Sequence, residues 1–242
     1  MAVALVTGAS RGIGRAIALR LAEEGHDVGI GYLTQAEAAE EVAEAVRAKG
    51  SQATIVGADL REPESAETVV AGTEAALGPI EILVANAGVN SAPTGIADIS
   101  PRAWDEIHAI NLRAPFLLAR ELAPAMCARG FGRIVFISSI AAYNGGLVGP
   151  HYAASKAGLH GLAYSLAVQS ARHGVTANVV APALVDSDMI PNDPQIREFL
   201  LASSPVGRLG RPEEVADMVA AVLRNGYLTG RSILLDGGRY PA

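Results

Sequence analysis

Cysteine is almost absent from this 242-residue chain. The single Cys127 excludes an internal disulfide framework and a cysteine-based zinc cluster. Positive charge is short as well: 19 Lys and Arg stand against 25 Asp and Glu, for a net charge of −6. That balance lacks the basic footprint that nucleic acid or an anionic membrane would require. No apolar run approaches the ~20 residues of a membrane span. The opening Met1-Ala2-Val3-Ala4-Leu5-Val6 has no basic n-region of the kind that begins a signal peptide. His108, His151, His160 and His173 show no metal-ligand spacing, so no metal site is expected. These absences leave a soluble, reduced, cytoplasmic protein as the expectation, with neither nucleic acid nor membrane as partner. The scarcest charged residue is lysine. Only Lys49 and Lys156 interrupt a basic set that is otherwise all arginine. Where a chain uses arginine for almost every positive charge, a lysine beside candidate chemistry is conspicuous, because a guanidinium does not readily relay protons.

What the chain does have is apolar material. Hydrophobic residues make up 50% and charged residues 18%, which excludes a disordered chain and leaves ample core. Short apolar runs at Ala4 to Thr7, Val28 to Tyr32, Ala53 to Val56, Ile82 to Ala85, Ile134 to Ile137, Thr176 to Val180 and Ser232 to Leu235 predict seven strands. Their continuity, rather than alternation, predicts burial on both faces of a parallel sheet. Between them, amphipathic Ala-rich stretches predict helices over Arg15 to Glu24, Ala36 to Lys49, Glu64 to Leu77, Pro101 to Ala128 and Tyr152 to Arg172. Gly25, Gly50 and Gly78 stand at the ends of the first three. The alternation predicts an α/β fold, a doubly wound Rossmann-type parallel sheet of about seven strands with helices on both faces. No linker divides the chain, so residues 1–242 read as a single domain. The one Pro-rich irregular region, Pro182 to Arg211, reads as a substrate-covering segment at about 183–210.

The first motif is Thr7-Gly8-Ala9-Ser10-Arg11-Gly12-Ile13-Gly14, between the first strand and the first helix. Glycines there allow a tight turn and close approach of the backbone to a pyrophosphate seated on the helix N-terminus. On a helix, Tyr152 and Lys156 lie four residues apart and share a face. An ammonium close to a phenol stabilises the phenolate, so this pairing predicts a lowered tyrosine pKa.

The spacing Gly-x-x-x-Gly-x-Gly resembles that of the short-chain dehydrogenase/reductase family. Asn86-Ala87-Gly88, Asn111, Ser139, Tyr152-Ala153-Ala154-Ser155-Lys156, and Pro182 with Ser187 follow in the family's order and spacing. The resemblance implies an oxidoreductase acting on CH–OH and C=O groups, with Asn111, Ser139, Tyr152 and Lys156 catalytic. Tyr152 would donate the proton, Ser139 would hydrogen-bond the substrate oxygen, Lys156 would hold the nicotinamide ribose, and Asn111 would hold a relay water. It implies cofactor contacts from Gly8, Ser10, Arg11, Gly12, Ile13, Gly14, Tyr32, Asp59, Leu60, Asn86, Ala87, Gly88, Tyr152, Lys156, Pro182 and Ser187. Within the family, the chain is most similar to 3-oxoacyl-[acyl-carrier-protein] reductases of fatty acid biosynthesis. Another ketone or secondary alcohol, or a non-catalytic dinucleotide-binding role, are the alternatives.

Charge bears on the cofactor. No acid stands at the end of the second strand, Ile30-Gly31-Tyr32-Leu33-Thr34-Gln35, where a carboxylate would repel a 2′-phosphate. Arg11 is placed either to pair with such a phosphate or to remain a solvated loop cation, and the balance favours NADP(H). Two departures from the family pattern stand out. Ala183 replaces the glycine after Pro182, and the two basic carrier-docking positions fall on Gly130 and His173, with Arg129 and Arg172 one residue away. The expected partners are a small-molecule ketone or acyl thioester and an acyl-carrier protein. The small residues Ala153, Ala157 and Gly161, beside Ala154 and Gly158, permit close helix packing, either inside the fold or between subunits of the homotetramer that the family implies.

Overall fold

The computed structural model describes residues 1–90, 94–187, 190 and 192–240. Seven strands form one sheet: β1 (Val3–Thr7), β2 (Asp27–Tyr32), β3 (Ala53–Gly57), β4 (Ile80–Ala85), β5 (Gly132–Ile137), β6 (Val175–Pro182) and β7 (Ser232–Leu235). Their order is β3-β2-β1-β4-β5-β6-β7 and every pairing is parallel. This is the doubly wound Rossmann-type arrangement, with its topological switch between β1 and β4.

The burial of β1 shows why its residues alternate so little in polarity. All five are buried, yet successive side chains go to opposite faces. Ala4 and Val6 join the core beneath α1 (Gly12–Glu23), α2 (Ala36–Arg47) and α9 (Pro212–Arg224). Val3 and Leu5 join the core beneath α3 (Ser65–Leu77), α5 (Ala114–Arg129) and α7 (Pro150–Ser170), the last preceded by the single turn α6 (Ala141–Asn144). Two apolar faces require a continuous apolar strand. The edge strands β3 and β7 are only partly buried.

Two stretches differ from the sequence expectation. The helix predicted over Pro101 to Ala128 is three pieces: α4 (Pro101–His108), a π-helical turn at Ala109–Arg113, and α5. Pro115 supplies a reason, for it has no N–H to give the Asn111 carbonyl four residues before it. The irregular region after β6 contains α8 (Pro194–Ala202). Asp193 caps it by accepting from the N–H groups of Gln195 (2.8 Å) and Ile196 (3.1 Å), and Pro194 occupies the first turn, where its missing donor costs nothing. Residues 188, 189 and 191 of the expected substrate-covering segment lie outside the described residues. Among the described residues no helix is long and apolar enough to cross a membrane, and no cluster of His, Cys, Asp or Glu is arranged to hold a metal ion.

Candidate active site

A cleft of about 580 Å³ crosses the C-terminal ends of the strands at the switch between β1 and β4. Size and place suit a cofactor site. One end is walled by Tyr32, Leu33, Thr34, Gln35, Asp59 and Leu60, and the other by Ser139, Tyr152, Lys156, Pro182 and Ser187. The glycine turn and Asn86-Ala87-Gly88 lie between. All the expected cofactor residues therefore meet in one cleft, as do three of the four expected catalytic ones.

The middle of the cleft is built by close backbone approach. Gly8 holds φ +62°, and a Cβ on Gly14 would lie 2.2 Å from the Gly8 carbonyl oxygen and 2.6 Å from Asn86 Nδ2. That Nδ2 donates to the carbonyls of Thr7 (3.0 Å) and Gly8 (3.1 Å), while Thr7 Oγ1 accepts from the N–H groups of Asn86 and Ala87. Asn86 is thus a brace between β4 and the turn. Gly14→Ala must push backbone apart, and an overpacked, unyielding contact of this kind costs roughly 1–3 kcal/mol. The expected result is a lower Tm together with weaker cofactor binding, read by thermal melts with and without NADPH. An unchanged melt would show that the turn can open.

At the first of these ends, Arg61 Nε lies 3.0 Å from each carboxylate oxygen of Asp59. This bond holds the Asp59 carboxyl below the usual carboxylate range. Ser10 Oγ donates to Gln35 Oε1 at 3.4 Å. Tyr32, Leu33, Thr34 and Gln35 bring no carboxylate to this wall.

At the other end, Ser139 lies beside Tyr152 in the wall of the cleft, and its Oγ accepts from the Ala141 N–H at 3.2 Å. Lys156 is buried, and its Nζ donates to the Ile137 carbonyl at 2.9 Å. Burial pulls the ammonium down from 10.5 to about 8. The expected lowering of the tyrosine pKa is not found. Burial pushes the phenol up, against the opposing pull of Ser139. Lys156 Nζ sits 5.8 Å from the Tyr152 ring centroid and is aimed at Ile137, so desolvation outweighs the ammonium.

Asn111 stands behind this end rather than in its wall. It is fully buried; Oδ1 accepts from Val89 N–H at 2.9 Å, and Nδ2 donates to the Val89 carbonyl (2.9 Å) and Ser155 Oγ (3.1 Å). A Cβ on Gly88 would come within 3.0 Å of Lys156 Nζ and 3.3 Å of Asn111 Oδ1, so glycine keeps open the space where the two approach. The Asn111 side chain is committed to holding the segment after β4. Its main-chain carbonyl receives no bond from four residues on, because Pro115 has no N–H.

Sequence reasoning passed over Thr7, Ser138, Ser155 and His160, whose partners are distant in the chain and leave no local pattern. His151, next to Tyr152, is fully buried with neither ring nitrogen hydrogen-bonded.

The donor set fits a nicotinamide dinucleotide. The first N–H groups of α1 have no helical partner and face the cleft through the glycine turn. Gly12 lies across the slot from Ser187 and holds φ +54°, a turn conformation that a side chain would strain. A buried ammonium with two further N–H groups waits at the far end.

A family model described as short chain dehydrogenase matches residues 2–197. The chain is 35% identical over 240 residues to the 3-oxoacyl-[acyl-carrier-protein] reductase FabG of Staphylococcus aureus, covering 98% of this chain and 97% of the relative. It is 38% identical over 247 residues to the short-chain dehydrogenase/reductase eriH of Hericium erinaceus, with 98% and 97% covered. Among solved structures, a blue fluorescent protein from a metagenomic library in complex with NADPH superposes with a TM-score of 0.92 at 35% identity, covering 99% of this chain and 98% of that one.

Proposed function

Because the chain belongs to the short-chain dehydrogenase family, we propose that it is an NADPH-dependent ketone reductase, with a 3-oxoacyl thioester as substrate and the 3-hydroxyacyl thioester as product. The observation that carries this reading is the trio Ser139, Tyr152 and Lys156, the last two buried, at one end of a cleft whose other end has no acid at the close of β2. The nicotinamide, when bound, supplies the hydride. Every other requirement falls to the chain. The α1 N-terminus and glycine turn would hold the pyrophosphate, Tyr32, Asp59 and Leu60 the adenosine, and Pro182 and Ser187 the nicotinamide.

Tyr152 is the proton donor. Its raised pKa keeps the phenol protonated at neutral pH, which is the form that reduction consumes. Ser139 steadies the substrate oxygen as charge develops on it. Lys156, near 8, is charged at pH 7 and yet can release a proton. It holds the ribose and passes protons toward a water at the Asn111 carbonyl. The segment at 183–210, with α8 in it, covers the substrate.

A 3-oxoacyl thioester is favoured by the likeness to a 3-oxoacyl-[acyl-carrier-protein] reductase over almost the whole chain. Arg129 and Arg172 are exposed cations for an acidic carrier, although Arg129 Nη2 also donates to the Ile80 carbonyl. A second reading, another ketone or secondary alcohol, is favoured by Ala183, which lines the cleft where the family carries glycine. Following NADPH consumption across acetoacetyl thioesters, cyclic ketones and aromatic ketones separates the two. Turnover of the thioesters alone supports the first, preference for a cyclic or aromatic ketone supports the second, and no turnover of any member overturns both. The family also implies assembly into a homotetramer, for which α7 offers an exposed face of Ala157, Gly161, Tyr164 and Val168; light scattering reads the state.

The cofactor choice has its own test. Arg11→Ala should lower kcat/KM with NADPH by roughly 10-fold and leave NADH nearly unchanged, because a charge-assisted contact to the 2′-phosphate is lost. Equal use of both cofactors by the parent would end the NADPH assignment.

A further inference from the structure

The last residue of β5 and the one after it grip the Tyr152–Lys156 turn of α7. The Ile137 carbonyl takes Lys156 Nζ, Ser138 Oγ donates to the Lys156 carbonyl at 2.9 Å, and Ser139 faces Tyr152 in the cleft wall. The second grip depends on a residue outside the cleft. His160, one turn beyond Lys156 on α7, has Nε2 2.9 Å from Ser138 Oγ and Nδ1 2.9 Å from Ser232 Oγ at the start of β7.

The proton positions follow from valence. A serine hydroxyl has one hydrogen, and the Lys156 carbonyl can only accept, so Ser138 spends its hydrogen there. Ser138 must then accept from His160, which fixes a proton on Nε2. Burial lowers the His160 pKa and favours the neutral ring, so Nδ1 accepts from Ser232. The result is one directed chain: Ser232 O–H to Nδ1, Nε2–H to Ser138, Ser138 O–H to the Lys156 carbonyl. That carbonyl also receives the helical N–H of His160 itself. Tyr143 closes the ring's side, edge-on at 5.1 Å.

The geometry points to His160 as a positioning residue for this active site: by donating to Ser138 it locks the hydroxyl that pins the Lys156 turn to β5, and so sets the distance between Lys156, Tyr152 and Ser139. This rests on the reductase reading for its catalytic consequence, but not for the hydrogen-bond chain.

Glutamine and asparagine divide the ring's two functions. Glutamine can place an N–H where Nε2 sits, whereas asparagine reaches only the Nδ1 position. His160→Leu and His160→Asn should each lower kcat by roughly 5- to 10-fold and weaken NADPH, measured as Kd by cofactor fluorescence, by about 3-fold; His160→Gln should stay within about 2-fold of the parent in both. Ser138→Ala should match His160→Leu, and the double variant should be no worse than either alone. A ring-labelled sample of the full chain should show the His160 proton on Nε2. Melting curves accompany each variant.

A proton on Nδ1, parental kcat and Kd in His160→Leu, asparagine performing as well as glutamine, or fully additive losses would each overturn the proposal. Should the parent bind NADPH but turn over no ketone, the substrate reading fails while the Kd series and ring proton still decide the role of His160.

Discussion

In Tyr152→Phe, NADPH binding persists while turnover falls by roughly 10²-fold or more, the usual scale for loss of a positioned proton donor. The ring keeps its place in the buried wall of the cleft, so packing changes little. The lost oxygen is the one that burial keeps protonated. Cofactor fluorescence measures the binding and NADPH consumption the turnover. The neighbour that could subvert this expectation is His151, whose two ring nitrogens have no partner. Retained turnover in Tyr152→Phe, abolished by a second change at His151, would transfer the proton-donor role.

Lys156→Arg should lose about 50-fold in kcat as well as cofactor affinity, where a side chain serving only as a positive charge would tolerate the change. The ammonium lies 2.9 Å from the Ile137 carbonyl and close against the Cβ-free face of Gly88. A planar guanidinium does not fit that space, and at ordinary pH it does not release a proton. The pH dependence separates charge from size. With Lys156 near 8, parental NADPH affinity weakens as pH rises through about 8 and the ammonium is lost; the arginine variant, weaker throughout, shows no such step. Stability moves the other way. Between about 8 and 10.5 the unfolded chain still binds a proton that the folded chain has released, so this group alone makes stability rise with pH across that window. Below about 8 its burial is a full cost to the fold. A folded arginine variant with parental kcat would reduce Lys156 to an electrostatic anchor.

The strands and the glycine turn were legible because each rests on a local requirement. Burial on two faces demands continuous apolar runs, and the approach of Gly14 to Gly8 demands a missing Cβ. The Tyr152–Lys156 pair was legible from helix spacing. The sign of the Tyr152 shift was not, because it depends on how much desolvation opposes the ammonium, and spacing carries no measure of depth. The π-helical turn at Ala109–Arg113 hid beneath an apolar periodicity that runs on from Ile107 to Leu118, although Pro115 was in view. The helix α8 hid among prolines that suggested irregularity, yet Asp193-Pro194 is a helix start. Ser138, His160 and Ser232 come from three separate elements, and nothing in one sequence joins them.

The all-parallel sheet also bears on how this cleft comes into being. Among the described residues no hairpin zips neighbouring strands, so each pairing closes a long loop, and the longest joins Ala4 to Ile82 across the switch point. Loop-closure entropy must be met before that contact returns anything, which makes high contact order and slow folding the expectation for this chain. The two walls of the cofactor slot, the glycine turn after β1 and the Asn86 segment after β4, are brought together by that same pairing. During refolding, therefore, secondary structure should recover ahead of cofactor recognition. A newly made chain becomes competent for NADPH only when its slowest contact has formed.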